Sequence, residues 1–212
     1  MLRITAVEKA KKKGYHLFVE EEYALTISAE VLAQTGLAAG QQITPQRLDE
    51  IRQLCDRQRA RERALYLLES RSHSRKELFD KLCRFVPEQT AAEVTQRMED
   101  LGLVDDEAYA RRLARDLLAR KHYPRRRLAQ ELTGKGIDRA LAEEAAAEAM
   151  EEAETDDGQQ ALELLRKKYY NRLYDENARR KTAAALARYG FGGDAVRRAM
   201  EAALSDQEDN GN

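Results

Sequence analysis

The stretch ALYLLESRSHSRKELFDKL, residues 64–82, returns in altered form as ARDLLARKHYPRRRLAQEL, residues 114–132. Ala64, Leu67, Leu68, Leu78 and Leu82 recur fifty residues later as Ala114, Leu117, Leu118, Leu128 and Leu132. In both copies an apolar stripe at helical spacing gives way to a short polar and basic break, and then to apolar positions four apart. A third, poorer copy follows: Leu132, Gly136 and Ile137 reappear fifty-four residues on as Leu186, Gly190 and Phe191. A period of this length marks stacked helical units, none of which buries its apolar face alone. Such arrays hold partners along a surface more often than they enclose chemistry.

Outward from this core, the first repeat reads as three helices. Ser74-Arg-Lys-Glu77 has the form of a capping box, in which the hydroxyl accepts from the N3 amide and the carboxylate reaches back. Pro87 opens the third helix, with Val94, Met98 and Leu101 inward and Gly102 as its stop. Repeat two starts with Asp105 as N-cap and Asp106 and Glu107 where the helix dipole favours anions. Leu103 and Tyr109 are expected to pack across that turn. Pro124 starts the middle helix, Gly134 and Gly136 end it, and Asp138 caps the last. The acidic run 151–158, ending in Gly158, is the best hinge candidate. In repeat three, Ala161, Leu164 and Leu165 sit only forty-seven residues beyond their counterparts. About seven extra residues therefore lie around Tyr169, Tyr170 and Tyr174. Gly190-Phe-Gly-Gly193 makes the second turn of this repeat.

The N-terminal part differs. Tyr15-His-Leu-Phe-Val19 and Tyr23-Ala-Leu-Thr-Ile27 are β-branched and aromatic runs that read as a hairpin, with Ile4 to Val7 as a third strand. Lys9, Lys11, Lys12 and Lys13 give this module a basic edge. Ser28 caps a short helix over 29–34, closed by Gly36. Thr44-Pro45 is an N-cap followed by proline at the first helical position. From there Leu48, Ile51, Leu54 and Cys55 keep helical spacing, and the helix is expected to run on into Ala64 and Leu67. The expected architecture is mainly α: tandem three-helix repeats in an elongated curved array behind a small β-hairpin-containing module. The divisions are 1–43 for the β-rich module, 44–104 for the linking helix and repeat one, 105–152 for repeat two, 153–204 for repeat three, and 205–212 for a disordered acidic tail.

The chain holds 37 basic and 38 acidic residues, so its total charge says nothing about partners. Its distribution does. Residues 111–139 carry ten Lys/Arg against three acids, 140–160 carry eight acids and no base, and 161–200 return to ten against four. A chain that alternates in this way suits a polyanion or a mixed-charge protein surface, while solvated helix faces are the plain alternative. Lys121 with Arg125, Arg126 and Arg127 is the strongest basic site. Cations in a helix's first turn disfavour the helix itself, which points to a partner. Arg166, Lys167 and Lys168 beside Tyr169 and Tyr170 form a second mixed patch, where the tyrosines read as half-buried core.

Catalysis is not expected. His16, His73 and His122 have no ligand spacing, no glycine-rich phosphate loop follows a strand, and no Ser or Cys sits in a nucleophile motif. The reading gives no catalytic, metal or cofactor residues and no small-molecule substrate. Cys55 and Cys83 read as packed thiols in a reduced setting. No leader opens the chain and no run approaches the roughly 18 apolar residues of a membrane span, so a cytoplasmic protein is expected.

Taken in order, these pieces resemble the RecX family of bacterial recombinase regulators. The resemblance covers residues 60–204. It is carried by Ser74-Arg-Lys-Glu-Leu78 with Leu82, Leu101-Gly-Leu-Val-Asp-Asp-Glu-Ala-Tyr-Ala110, Arg125 to Leu128 with Leu132, Lys135-Gly-Ile137 and Leu186-Ala-Arg-Tyr-Gly-Phe191. The β-rich start looks like the extended N-terminus of some Gram-positive members. One departure stands out: Arg84-Phe-Val-Pro87 occupies the place where members often carry Lys-Gly-aromatic. The resemblance implies a non-enzymatic modulator of RecA, mainly an inhibitor, that lies in the groove of the RecA–single-stranded DNA filament. It further implies effects on ATP hydrolysis, strand exchange and coprotease activity, within homologous recombination, DNA repair and the SOS response. The alternative reading is a direct DNA binder using helix-turn-helix-like units.

Overall fold

A computed structural model describes residues 1–169, 171, 173 and 175–209. Among them the chain forms four strands and ten helices, which fall into two compact units. The first comprises residues 1–72 and 78–103; the second comprises 73–77 and the chain from Val104 onward.

In the first unit β1 (Leu2–Lys9), β2 (Tyr15–Val19), β3 (Glu22–Ile27) and β4 (Gln42–Ile43) form an antiparallel sheet in the order β3-β2-β1-β4. The β2–β3 turn passes through Glu20 and Glu21, both at positive φ, the backbone that matches the twist of a tight hairpin. The two-residue β4 is not legible in the sequence, because a strand this short has no alternation to detect. It is held by pairing with Leu2 and Arg3. Helix α1 (Ala29–Thr35) begins at Ser28, whose Oγ accepts the Val31 N–H at 3.0 Å. Helix α2 (Pro45–Ser70) is one uninterrupted element, capped by Thr44, as the absence of any internal Gly or Pro allows. Its first half packs Leu48, Ile51 and Cys55 against Ile4, Leu17, Val19 and Ile27 of the sheet. Its second half buries Ala60, Ala64 and Leu67. Helix α4 (Glu88–Asp100) lies alongside α2, linked to it by the Arg57–Glu93 ion pair at 3.0 Å.

Helix α3 (Arg75–Leu82) buries Leu78 and Leu82. The departure after it, Arg84 to Val86, is closed by Phe85 and Val86 N–H groups donating to the Leu82 carbonyl, with no residue at positive φ. Val86 turns inward and Phe85 outward. Three expectations of burial fail in this unit. Leu101 and Leu103 are 51% and 47% exposed, since Gly102 at positive φ ends α4 before either meets the core. Cys83 is also exposed, and both cysteines are free thiols.

The second unit contains α5 (Asp106–Lys121), α6 (Arg125–Gly134), α7 (Arg139–Glu152), α8 (Asp157–Lys168), α9 (Glu176–Tyr189) and α10 (Gly193–Asp209). Two cores fill it. Leu118, Leu128, Leu132 and Ile137 close on an alanine face of α7, Ala142, Ala145, Ala146 and Ala149. Leu164, Leu165, Leu186, Phe191, Val196 and Ala199 form the other. Caps expected at Asp105 and Asp138 are present. Pro124 stands one residue outside α6, at its N-cap.

Two further expectations fail in this unit. Residues 151–158 are a fastened turn, not a loose hinge: Asp156 and Gln159 complete a capping box, and Arg198 pairs with Asp156 at 2.8 Å. Residues 205–209, expected as tail, continue α10, where Asp206 takes Arg166 Nη2 at 2.5 Å. Residues 210–212, with Tyr170 and Tyr174, lie outside the described residues. Tyr169 is half-buried against the second core, as expected.

Candidate functional site

The basic turn of repeat two is built by Pro124, which fixes the chain for helix entry but offers no side-chain cap. The cap comes from elsewhere: the Arg125 N–H donates to Asp157 Oδ1 at 2.9 Å. That carboxylate also offsets the positive end of the α6 dipole, which three consecutive arginines would otherwise aggravate.

The three arginines then part company. Arg127 points into the unit. Its guanidinium carbon sits 4.2 Å from the Tyr123 ring centre and 4.5 Å from that of Tyr189. Its Nη1 donates to the Tyr189 carbonyl at 2.9 Å, and the Tyr189 hydroxyl donates to the Lys121 carbonyl at 2.8 Å. Burial, foremost, pushes the Tyr189 phenol above its usual range; Arg127 works against that shift. Arg127, expected to meet a partner, is therefore a joint between repeats two and three. Arg125 and Arg126 stay exposed, as does Lys121, and none of the three has an ionic partner among the described residues. Arg125 and Arg126 border a groove between α6 and α7 with Gln130, Thr133, Arg139 and Glu143. Arg139 was not anticipated in this setting; it pairs with Glu143 at 2.9 Å.

The second patch is mostly committed inside the unit. Arg166 is held by Glu163 and Asp206, and Lys168 Nζ lies 5.3 Å over the Tyr189 ring. Lys167 alone of the three is exposed with no such partner among the described residues. The acidic block is likewise engaged. Arg111 pairs with Glu148 at 2.8 Å and Arg115 with Glu152 at 2.5 Å, forming a ladder between α5 and α7. The Arg115 hydrogen bonds hold the Glu152 carboxyl below its usual range. Much of the alternating charge along the chain is thus matched within the unit. Lys121, Arg125 and Arg126 are among the exposed cations with no ionic partner among the described residues, together with Arg120 beside them and Lys167, Lys181 and Arg188 in repeat three.

The start of α3 repeats the plan of α6. The Arg75 N–H donates to Asp106 Oδ1 at 2.7 Å, matching Arg125 and Asp157. Ser74 accepts the Glu77 N–H at 3.1 Å, the first half of the expected capping box, and donates to the Lys135 carbonyl. The Glu77 carboxylate takes Lys135 Nζ at 3.0 Å and the Tyr109 hydroxyl at 3.2 Å. Position 77 thus meets position 135 through an ion pair, and position 127, fifty residues on, meets position 189 through a cation on a ring. Among the described residues no three His, Cys, Asp or Glu side chains converge as metal ligands. Among them, too, no helix is long and apolar enough to cross a membrane.

Three segments of the chain match family models of RecX: the first three-helix domain over residues 60–98, the second over 105–145 and the third over 155–200. Regulatory protein RecX of Stenotrophomonas maltophilia strain K279a is 38% identical over 140 residues, 65% of this chain and 83% of the relative. Regulatory protein RecX of Lactobacillus delbrueckii subsp. bulgaricus is 29% identical over 195 residues, 91% of this chain and 72% of its own. Among solved structures, one of regulatory protein RecX superposes with a TM-score of 0.65 at 21% identity, covering 95% of this chain and all of that one. RecX of Lactobacillus salivarius gives 0.60 at 24% identity over 70% of this chain and 96% of its own. At these identities the two structures speak for the fold alone.

Proposed function

Because the chain belongs to the RecX family of regulatory proteins, which implies modulation of RecA, we propose that it inhibits RecA by seating Lys121, Arg125 and Arg126 on the RecA–single-stranded DNA filament. Lys167 extends the same set. The observation that carries the reading is local. Where most of the neighbouring cations are matched by carboxylates or rings, these three, with Arg120, are left exposed around the turn from the end of α5 into the start of α6. Arginine forks suit both phosphates and the surface carboxylates of a protein, the two chemistries that a filament groove offers together. Occupying the groove would restrain neighbouring protomers, and so lower ATP hydrolysis, strand exchange and coprotease activity. In the cell this is a role in recombinational repair and the SOS response.

The test is retention of the protein on preassembled RecA filaments, with wild type compared against Lys121→Ala/Arg125→Ala/Arg126→Ala. Removing one hydrogen bond made by a charged group costs on the order of 1–3 kcal/mol, so retention of the triple variant should fall at least tenfold. Equal retention by a folded triple variant would remove the assignment. Equal retention on naked DNA and on filaments would favour direct DNA binding by the three-helix units instead.

A further inference from the structure

A feature of the N-terminal sheet lies outside the repeats and outside the role proposed for them. Along β2, Leu17 and Val19 are buried against α2, so His16 and Phe18 face the other way. Simple alternation in Tyr23-Ala-Leu-Thr-Ile27 would put Tyr23 on the buried face with Leu25 and Ile27. The pairing register rules this out. Leu17 pairs with Leu25 and Phe18 with Tyr23, leaving Ala24 as an extra residue, a β-bulge. The bulge turns Tyr23 over, beside Phe18 and in line with Thr26, which pairs with His16.

Three rings are thereby gathered on the open face. Tyr23 stands edge-to-face with His16 at 5.7 Å and with Phe18 at 6.2 Å, and is 57% exposed. Thr26 Oγ1 lies 2.9 Å from both His16 Nδ1 and the Tyr23 hydroxyl and fixes the group. Bulges of this kind re-aim side chains, and here the one re-aimed is a tyrosine left in water.

The end of the sheet away from Phe18 and Tyr23, beyond Tyr15, is cationic. The β1–β2 hairpin carries Lys9, Lys11, Lys12 and Lys13, all exposed, none with an ionic partner among the described residues. The hairpin itself is tightly made. The Ala10 N–H donates to the Gly14 carbonyl at 3.0 Å. Gly14, at φ +95, leaves 2.4 Å between an added Cβ and the Ile27 carbonyl oxygen, so only glycine fits. Carboxylates set the limits. Glu20, Glu21 and Glu22 close the opposite turn, next to Phe18 and Tyr23, so a bound strand would run from these rings toward the lysines and away from that turn. Glu8, opposite His16, is outnumbered by the lysines at its end of the sheet.

We propose that this face binds single-stranded nucleic acid, with bases stacking on Tyr23 and Phe18 and phosphates meeting Lys11, Lys12 and Lys13. Rings that accept any base and lysines that accept any phosphate make a site without sequence preference. A duplex hides its base faces, so the site favours single strands. The proposal does not depend on the RecA reading, because it is tested with DNA alone.

The chain contains no tryptophan, so Tyr23→Trp reports on this face only. The expected result is quenching of its emission by a short thymidine oligonucleotide at low salt, and less by duplex of equal length. Tyr23→Ala should bind the oligonucleotide roughly tenfold more weakly, given the usual worth of one stacked base. Lys11→Ala/Lys12→Ala/Lys13→Ala should lower the salt slope of binding by about 2. Unchanged tryptophan emission at saturating oligonucleotide would overturn the proposal, whether the DNA is bound elsewhere or not at all. Quenching by RecA without DNA, and none by oligonucleotide, would give the face to a protein and overturn it equally.

Discussion

Arg127 shows how a side chain's role changes once its surroundings are known. In the sequence it is one of three adjacent arginines, with nothing to set it apart. Its partners Tyr123 and Tyr189 lie four residues before it and sixty-two after, and the second separation is beyond any local pattern. Replacing Arg127 by Ala removes a cation shared by two rings and a hydrogen bond to the Tyr189 carbonyl, for a combined destabilisation of about 2–3 kcal/mol. Urea unfolding should show a lower midpoint, with the far-ultraviolet spectrum before the transition unchanged. Arg127→Lys, which keeps the charge but loses the fork, should recover only part. An unaltered midpoint for the alanine variant would mean that the stacked geometry contributes nothing to stability. Gly136 is a second such position. At φ +85, an added Cβ would stand 2.3 Å from Lys76 Cβ, so Gly136→Ala combines left-handed strain of about 1–2 kcal/mol with a clash against the first turn of α3. A variant as stable as wild type in thermal melts would contradict that packing. Helix caps, by contrast, were legible one residue at a time: Ser28, Thr44, Asp105 and Asp138 each cap a nearby backbone N–H.

Among elements, helix positions followed from periodicity and punctuation, while what the turns do did not. The run from Glu151 to Gly158 reads as a hinge because it is acidic and glycine-terminated. The fold makes it a capped start for α8, with Asp156 accepting from the Gln159 N–H at 2.8 Å and from Arg198. The Gln159 N–H, and then Arg198, hold the Asp156 carboxyl below its ordinary range. A depressed folded pKa stabilises at pH values above the unfolded carboxylate value of about 3.9 and is lost as pH falls through the lower folded value. Wild type should therefore lose more stability than Asp156→Asn on going from neutral pH to below about pH 4, since asparagine still caps but does not titrate. Parallel acid limbs for the two proteins would show that the ionised carboxylate is not what secures this turn. The bulge at Ala24 teaches the same lesson in a sheet. Alternation assigns Tyr23 to the core, and one extra residue reverses it.

For the whole chain, the repeat in 64–82 and 114–132 was enough to give three-helix units, and their motifs in order were enough to indicate the family. The blocks of opposite charge were visible too, but not their destination. Arg111 and Arg115 are taken up by Glu148 and Glu152, thirty-seven residues away in each case. The proposed binding face, Lys121, Arg125 and Arg126, lies in the cluster of cations, Arg120 included, that this cancellation leaves at the turn between α5 and α6. Charge–charge attraction weakens as salt screens it, so inhibition of RecA should fall as ionic strength rises, and the triple variant should be less salt-sensitive than wild type. If inhibition held its strength in high salt, the interface would have to be apolar.

The central claim, a regulator that acts on RecA through this face, is tested most directly by single-stranded-DNA-dependent ATP hydrolysis by RecA, with the protein added below stoichiometry. The expected result is strong inhibition by wild type, and inhibition reduced at least tenfold for Lys121→Ala/Arg125→Ala/Arg126→Ala at equal thermal stability. Hydrolysis unaffected by wild type even in excess would contradict the regulatory role. Equal inhibition by both proteins would contradict the face.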